Sequence, residues 1–292
     1  MKKATNREIE EKFLDKIIEE CFKDCRSNRK ERERYFLPLR FARKNRNISH
    51  TNIAKKMNNI EMFNDSISIK SITTTAQNVN RQIIHIYQEE MNADECNTEN
   101  LLNRKNGQGG VWEIIYDWLW DYKYPRYLWV YLKEKATNND DWIGIPTHNK
   151  KIVIPEMPKY EIDIIPLNKP FDMFVNLPVN QGYLLLLNQG ENEQFLLCPS
   201  LGFAPQCELN NKTLFLPQKD SLAREKLQGM LFDKERKEEF IGIVLKTLPK
   251  FDWLTTDKEP VVKLTRQHFE DLLSLEMFEN CPIFYKLFAV VA

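Results

Sequence analysis

The sequence predicts an α+β chain, with a helical first part followed by a β-sandwich. Glycine is absent from the first 106 residues and proline occurs there once, at Pro38, whereas twelve of the fourteen prolines fall at or after Pro146. Helix interiors exclude both residues, while strands joined by turns use them at the corners. Apolar residues recur every three or four positions up to Glu90 and in short runs from Trp142 onward. Charge divides along the same line. Thirteen Lys or Arg stand against four Asp or Glu between Arg26 and Arg81, a local +9 within a chain of zero net charge.

A chain of 292 residues has room for two cores. The expected division is a basic helical domain over 1–110, an aromatic helical connector over 111–138, and a β-domain over 139–292. No apolar run reaches the ~18 residues a membrane helix needs. The start, MKKATNREIEEKFLDKII, alternates charge where an export signal is apolar, so a cytoplasmic protein without membrane contact is expected. The six cysteines form no CxxC pair. Cys21 and Cys25, four apart on a predicted helix without histidine neighbours, read as buried thiols before they read as metal ligands.

In the first part, Ile9, Phe13, Ile17 and Cys21 step by four along a helix from Glu8 to Phe22. A basic helix over Lys30 to Arg46 offers Phe36, Leu37 and Phe41 for burial. Ser49 is placed to cap a short helix with Ile53, Ala54 and Met57 inward. After a link containing Asn64 and Asp65, a helix from Ile69 to Glu90 aligns Ile69, Ile72, Ala76, Val79, Ile83 and Ile86 on one face. Lys70, Thr74, Gln77 and Arg81 follow the same period on another face, flanked by Thr73, Thr75 and Asn78. Side chains of these lengths and hydrogen-bonding types can read base edges or hold phosphates.

That order over Arg40 to Glu90, a basic helix, a short helix with IAKKM, a link and a polar-faced helix, resembles helix-turn-helix and winged-helix DNA-binding domains. The link from Asn58 to Ser68 is longer than the three or four residues of a simple helix-turn-helix. The resemblance implies that Arg43, Lys44, Arg46, Lys55 and Lys56 grip phosphates while Lys70, Thr74, Gln77 and Arg81 face the groove of duplex DNA. A helical bundle with these side chains in water, or an acidic protein partner, are the competing readings.

Residues 97–110 read as a link or as the wing of such a domain, and GQGG lacks the Lys-Ser/Thr pair of a phosphate loop. Nine aromatics follow between Trp112 and Tyr131. Trp112, Ile115, Tyr116, Leu119 and Trp120 share a face, and Pro125 is expected to end or kink the helix. Core packing is the expected use of these rings, because Glu113, Asp117 and Asp121 among them would repel nucleic-acid phosphates.

From Trp142, the runs WIGI, KIVI, YEIDIIPL, FDMFVNL, GYLLLLNQ, NEQFLLC, TLFLP, EFIGIVLKTL and PIFYKLFAVV predict eight or nine strands, with NQGENEQ as a hairpin loop. Ser221 to Phe232 and Thr265 to Phe278 read as helices, the latter with Phe269, Leu272, Leu273 and Met277 on one side. The strand start Gly182-Tyr183, the strand end Cys198-Pro199-Ser200, the Leu216-Pro217 step and the strand closed by Leu248-Pro249 resemble a domain of unknown function common in cyanobacterial and other bacterial chains. There it accompanies caspase-like proteases, kinases or other signalling modules. The likeness spans Tyr160 to Trp253 and implies an accessory, protein-binding role without catalytic residues.

No enzyme motif is found. His50, His85, His148 and His268 fit no HExxH, HxH or Cys-His spacing, and no Gly-x-Ser-x-Gly elbow occurs. His50 is expected at a helix start and His85 half-buried on a helix. Asp140-Asp141 and Glu238-Glu239 are expected to decorate loops or strand ends. The reading is a non-enzymatic DNA-binding regulator, without metal or cofactor, whose β-domain senses a signal or recruits a protein. The alternative is an adaptor subunit of a bacterial signalling or defence assembly.

Overall fold

A computed structural model describes residues 5–23, 28–63, 67–104, 110–137, 141–146, 151–153, 161–179, 181–210, 213–255 and 259–292. The chain is of the α+β class and divides into two compact units, Met1–Tyr124 and Pro125–Ala292. Cys25, Asn64, Asp65, Asp140, His148 and most of the GQGG stretch lie outside the described residues.

The regular elements described in the first unit are helices. α1 (Asn6–Phe22) starts from a reciprocal cap, in which Thr5 Oγ1 accepts from the Glu8 N–H and Glu8 Oε2 accepts from the Thr5 N–H. It buries Ile9, Phe13, Leu14, Ile17, Cys21 and Phe22. α2 (Asn28–Phe41) carries Pro38 and buries Phe36, Leu37 and Phe41; the basic helix therefore ends before Arg43, where a 3₁₀ turn (Arg43–Asn45) takes over. α3 (His50–Asn58) begins at Ser49, whose Oγ accepts from the Asn52 N–H at 3.2 Å.

α4 (Ile69–Ile86) is shorter than its periodicity predicts, because Tyr87 leaves helical geometry before α5 (Gln88–Ala93). Its buried face is Ile72, Thr75, Val79, Ile83 and Ile84, while Ile69 and Ile86 are exposed at 54% and 42%. The face is rotated from the expected one at both ends. Thr75 can turn inward because its hydroxyl donates to the Ser71 carbonyl at 2.8 Å, so this hydroxyl is not buried unpaired. His85 is exposed rather than half-buried. The expected link also folds in part, as α6 (Thr98–Asn103) capped by Asn97.

α7 (Val111–Trp118) brings the aromatic segment into this core. Trp118, Leu119 and Trp120 are almost wholly enclosed, and Trp120 packs on Phe13 at 5.3 Å and on Tyr124 at 5.0 Å. Each such ring contributes about 1.5–3 kcal/mol by leaving water. Pro125 does not break the helix. A π turn over Leu119–Lys123 precedes it, with the Tyr124 N–H donating to the Leu119 carbonyl five residues back. A wider turn of this kind absorbs what an α-helix cannot accept around a proline.

α8 (Tyr124–Lys135) starts on the last residue of the first unit and continues into the second. The strands of the second unit are β1 (Ile143–Gly144), β2 (Lys151–Val153), β3 (Glu161–Pro166), β4 (Met173–Val175), β5 (Gln181–Gln189), β6 (Gln194–Cys198), β7 (Glu208–Asn210), β8 (Leu214–Leu216), β9 (Arg236–Leu245), β10 (Val262–Lys263) and β11 (Ile283–Val291). All nine predicted runs contain a strand. The larger sheet runs β10-β6-β5-β9-β11-β3-β2, with β7 also on β5, and the smaller runs β1-β4-β8. The β11–β3 pair is parallel. One apolar core joins Met173, Val175 and Leu216 of the small sheet to Leu184, Leu186, Phe240 and Phe288 of the large one. Gly242 on β9 leaves space for the Trp142 ring, since a Cβ there would lie 2.7 Å from it.

The two predicted helices of this unit are shorter than expected. α9 (Leu222–Leu227) stops at left-handed Gln228, and Met230 then bridges to Phe171. α10 (Arg266–Ser274) buries Phe269, Leu272 and Leu273, and leaves Met277 to a following 3₁₀ turn. Glu238 and Glu239 do not decorate a strand end. Glu238 is fully buried on β9 with Arg236 and Asn188 as partners. Glu239 accepts from Trp129 Nε1 and Lys133 Nζ, each at 2.6 Å, and from the Tyr285 hydroxyl at 2.7 Å, which anchors α8 to the sheet.

Candidate nucleic-acid interface

The basic residues flanking Ser49 meet because the chain between α2 and α3 turns tightly. The Asn45 N–H donates to the Ala42 carbonyl and the Ile48 N–H to the Asn45 carbonyl, both at 2.8 Å, and Asn45 is buried. Below the turn lies Arg40, which sequence reasoning did not single out. Its guanidinium sits 3.3 Å from the centre of the Trp112 ring and donates to the Ile48 carbonyl at 2.7 Å. Burial lowers its pKa, and the Glu113 carboxylate opposes that shift. A planar cation between a ring and a carbonyl holds the turn more rigidly than a lysine would.

The result is a cleft of about 550 Å³ lined by Arg43, Lys44, Asn45, Arg46, Asn47, Ile48, Asn52, Lys55 and Lys56. All five residues predicted to grip phosphate line this one surface. α3 supplies its half because Ile53, Ala54 and Met57 face inward, which leaves Asn52, Lys55 and Lys56 exposed.

The five cations differ in availability. Arg43 pairs with Glu10 at 2.9 Å and lies 5.9 Å from the Trp120 ring centre. Arg46 pairs with Asp117 at 3.0 Å and lies 5.1 Å from the Tyr116 ring centre. Lys44, Lys55 and Lys56 are exposed and make no ion pair among the described residues. Three arginines spaced by three, Arg40, Arg43 and Arg46, thus meet three rings spaced by four, Trp112, Tyr116 and Trp120. Both spacings were present in the sequence, but nothing there says which partners pair, and Arg43 and Arg46 meet the rings in crossed order.

On α4, Lys70, Thr74 and Arg81 are exposed and Gln77 is half-buried. The Thr74 hydroxyl donates to the Lys70 carbonyl at 3.3 Å, and Thr73 bonds likewise to Ile69. Thr74 therefore offers a methyl group and an acceptor, with its donor already used. Ser68 caps this helix by accepting from the Ser71 N–H at 3.2 Å.

Elsewhere, His50 opens α3 with its pKa lowered by burial and by nearby Arg40. Cys21 is buried, and its thiol pKa is raised to about 12. No cluster of three or more His, Cys, Asp or Glu side chains suited to a metal occurs among the described residues. Among the same residues no helix is long and apolar enough to cross a membrane. Comparison of the chain with protein-family models, with curated proteins and with solved structures finds no match.

Proposed function

We propose that the protein is a non-enzymatic nucleic-acid-binding regulator whose first unit holds duplex DNA. The observation that carries this reading is the convergence of Arg43, Lys44, Arg46, Lys55 and Lys56 on one concave surface with no carboxylate among its lining residues. Cations gathered this way attract phosphate and release its counterions. Lys70, Thr74, Gln77 and Arg81 form the stripe that would contact base edges, in the manner of a recognition helix. The winged-helix likeness and the sandwich reading of the second unit belong to this proposal. The shared core of the two sheets supports the sandwich, and the capped pair α3 and α4 supports the helix-turn-helix.

The test is fluorescence anisotropy of the full chain with random duplex DNA at about 50 and about 200 mM salt. Binding that weakens steeply with salt supports the reading. Lys70→Ala combined with Arg81→Ala is expected to weaken binding, with the cleft lysines still in place, and leave the circular dichroism spectrum unchanged. Unchanged affinity in that double variant would remove α4 from the interface.

A second reading, an adaptor that engages a protein through the second unit, draws on exposed apolar side chains. Phe215 on β8 is 54% exposed beside its cross-strand neighbour Phe174, and Leu227 and Leu231 are 45% and 40% exposed. Apolar groups left in water favour a protein partner. A partner that co-purifies with the full chain and is lost in Phe215→Glu supports this role.

A further inference from the structure

We propose that the basic cleft is itself a binding site for a linear triphosphate chain, as carried by a nucleoside triphosphate or by inorganic tripolyphosphate, and that filling it excludes nucleic acid. The exclusion rests on the nucleic-acid reading of the same surface; the site does not. The groove is open to solvent and its volume of about 550 Å³ leaves room for a phosphate chain between its basic walls.

The charge inventory fits a compact polyanion. Arg43 and Arg46 are occupied by Glu10 and Asp117. Lys44, Lys55 and Lys56 are exposed and form no ion pair among the described residues, so three ammonium groups meet a ligand of three or four negative charges. Asn47 and Asn52 add neutral donors on the same walls. A single phosphate would engage fewer of these groups. The lining contains no aromatic ring on which a base could stack, so the phosphate chain is what this site reads.

Isothermal titration calorimetry of the full chain with sodium tripolyphosphate, at about 150 mM salt, tests the site. One equivalent is expected to bind, with ATP within about threefold and orthophosphate at least about 100-fold weaker. Lys55→Gln with Lys56→Gln should weaken tripolyphosphate by about 30-fold or more, while Lys169→Gln, exposed in the second unit, changes nothing. Absence of heat with the folded protein overturns the site, as does binding indifferent to Lys55 and Lys56. ATP binding more than about tenfold tighter than tripolyphosphate contradicts recognition of the chain alone.

Displacement of labelled duplex DNA by tripolyphosphate at matched ionic strength tests the exclusion. A duplex that binds and is not displaced overturns the exclusion and leaves the nucleic-acid reading standing. Triphosphate binding without any duplex binding supports the site and removes the nucleic-acid reading.

Discussion

Asn58 grips Ile67 through both main-chain polar groups of that residue: its Oδ1 accepts from the Ile67 N–H at 3.0 Å and its Nδ2 donates to the Ile67 carbonyl at 3.1 Å. The clamp joins the end of α3 to the residue just before the cap of α4, across a link longer than that of a simple helix-turn-helix. Ile67 is buried, so these groups lose their partners if the amide is removed. Asn58→Ala is expected to destabilise the protein by about 1–3 kcal/mol, read from urea unfolding. Unchanged stability would show that water replaces the clamp.

Arg40 supports the cleft from beneath without lining it. Arg40→Lys keeps a charge but loses the planar contact with Trp112 and the geometry of the bond to Ile48. A loss of about 1–2 kcal/mol is expected in thermal or urea unfolding. Duplex binding should weaken with it. Retained affinity in a destabilised Arg40→Lys protein would separate the turn from the interface.

Glu10 and Asp117 restrain the interface. Asp117→Asn releases Arg46 from an exposed ion pair, which costs less than about 1 kcal/mol of stability. Duplex DNA should bind more tightly, with a salt slope steeper by about 0.9, because one more cation is free to displace counterions. Weaker binding in Asp117→Asn would mean that the carboxylate orients Arg46 for its contact.

Glu238 sets a pH dependence in the second unit. Its pKa is raised by burial, against the lowering effect of Asn188 and Arg236. A carboxyl with a folded-state pKa above its unfolded value holds its proton more firmly when folded. Its contribution is therefore full below the unfolded value and is lost as pH rises through the folded one. Glu238→Gln keeps an acceptor for Asn188 and removes this titration. Relative to the parent, the variant should gain stability between about pH 4.5 and pH 7 in denaturant titrations. A gap that stays constant over that range contradicts the assignment.

Local signals carried most of the fold. Ser49 and the period of α4 located two helix starts, and alternation with turn residues located the nine strand runs. Pairing was not legible, because it depends on residues far apart. The parallel contact of β11 with β3 has no local mark, and Glu10 and Asp117 lie far in sequence from the arginines they neutralise. The inward turn of Thr75 was hidden for another reason: a threonine looks polar until its hydroxyl is spent on the preceding turn. For the cleft, the basic residues were visible but their convergence was not, since it depends on Arg40 and Trp112 holding the turn at 43–48.

The central claim is that the cleft lysines hold phosphate, and the salt dependence of duplex binding tests it most directly. Lys44, Lys55, Lys56, Lys70 and Arg81 together give an expected slope of about −4.5 for log affinity against log salt, or roughly a 500-fold loss between about 50 and 200 mM. Replacing Lys44, Lys55 and Lys56 with glutamine should flatten the slope to about −1.8. An unchanged slope in that triple variant, or no duplex binding at the lowest salt, would contradict the account.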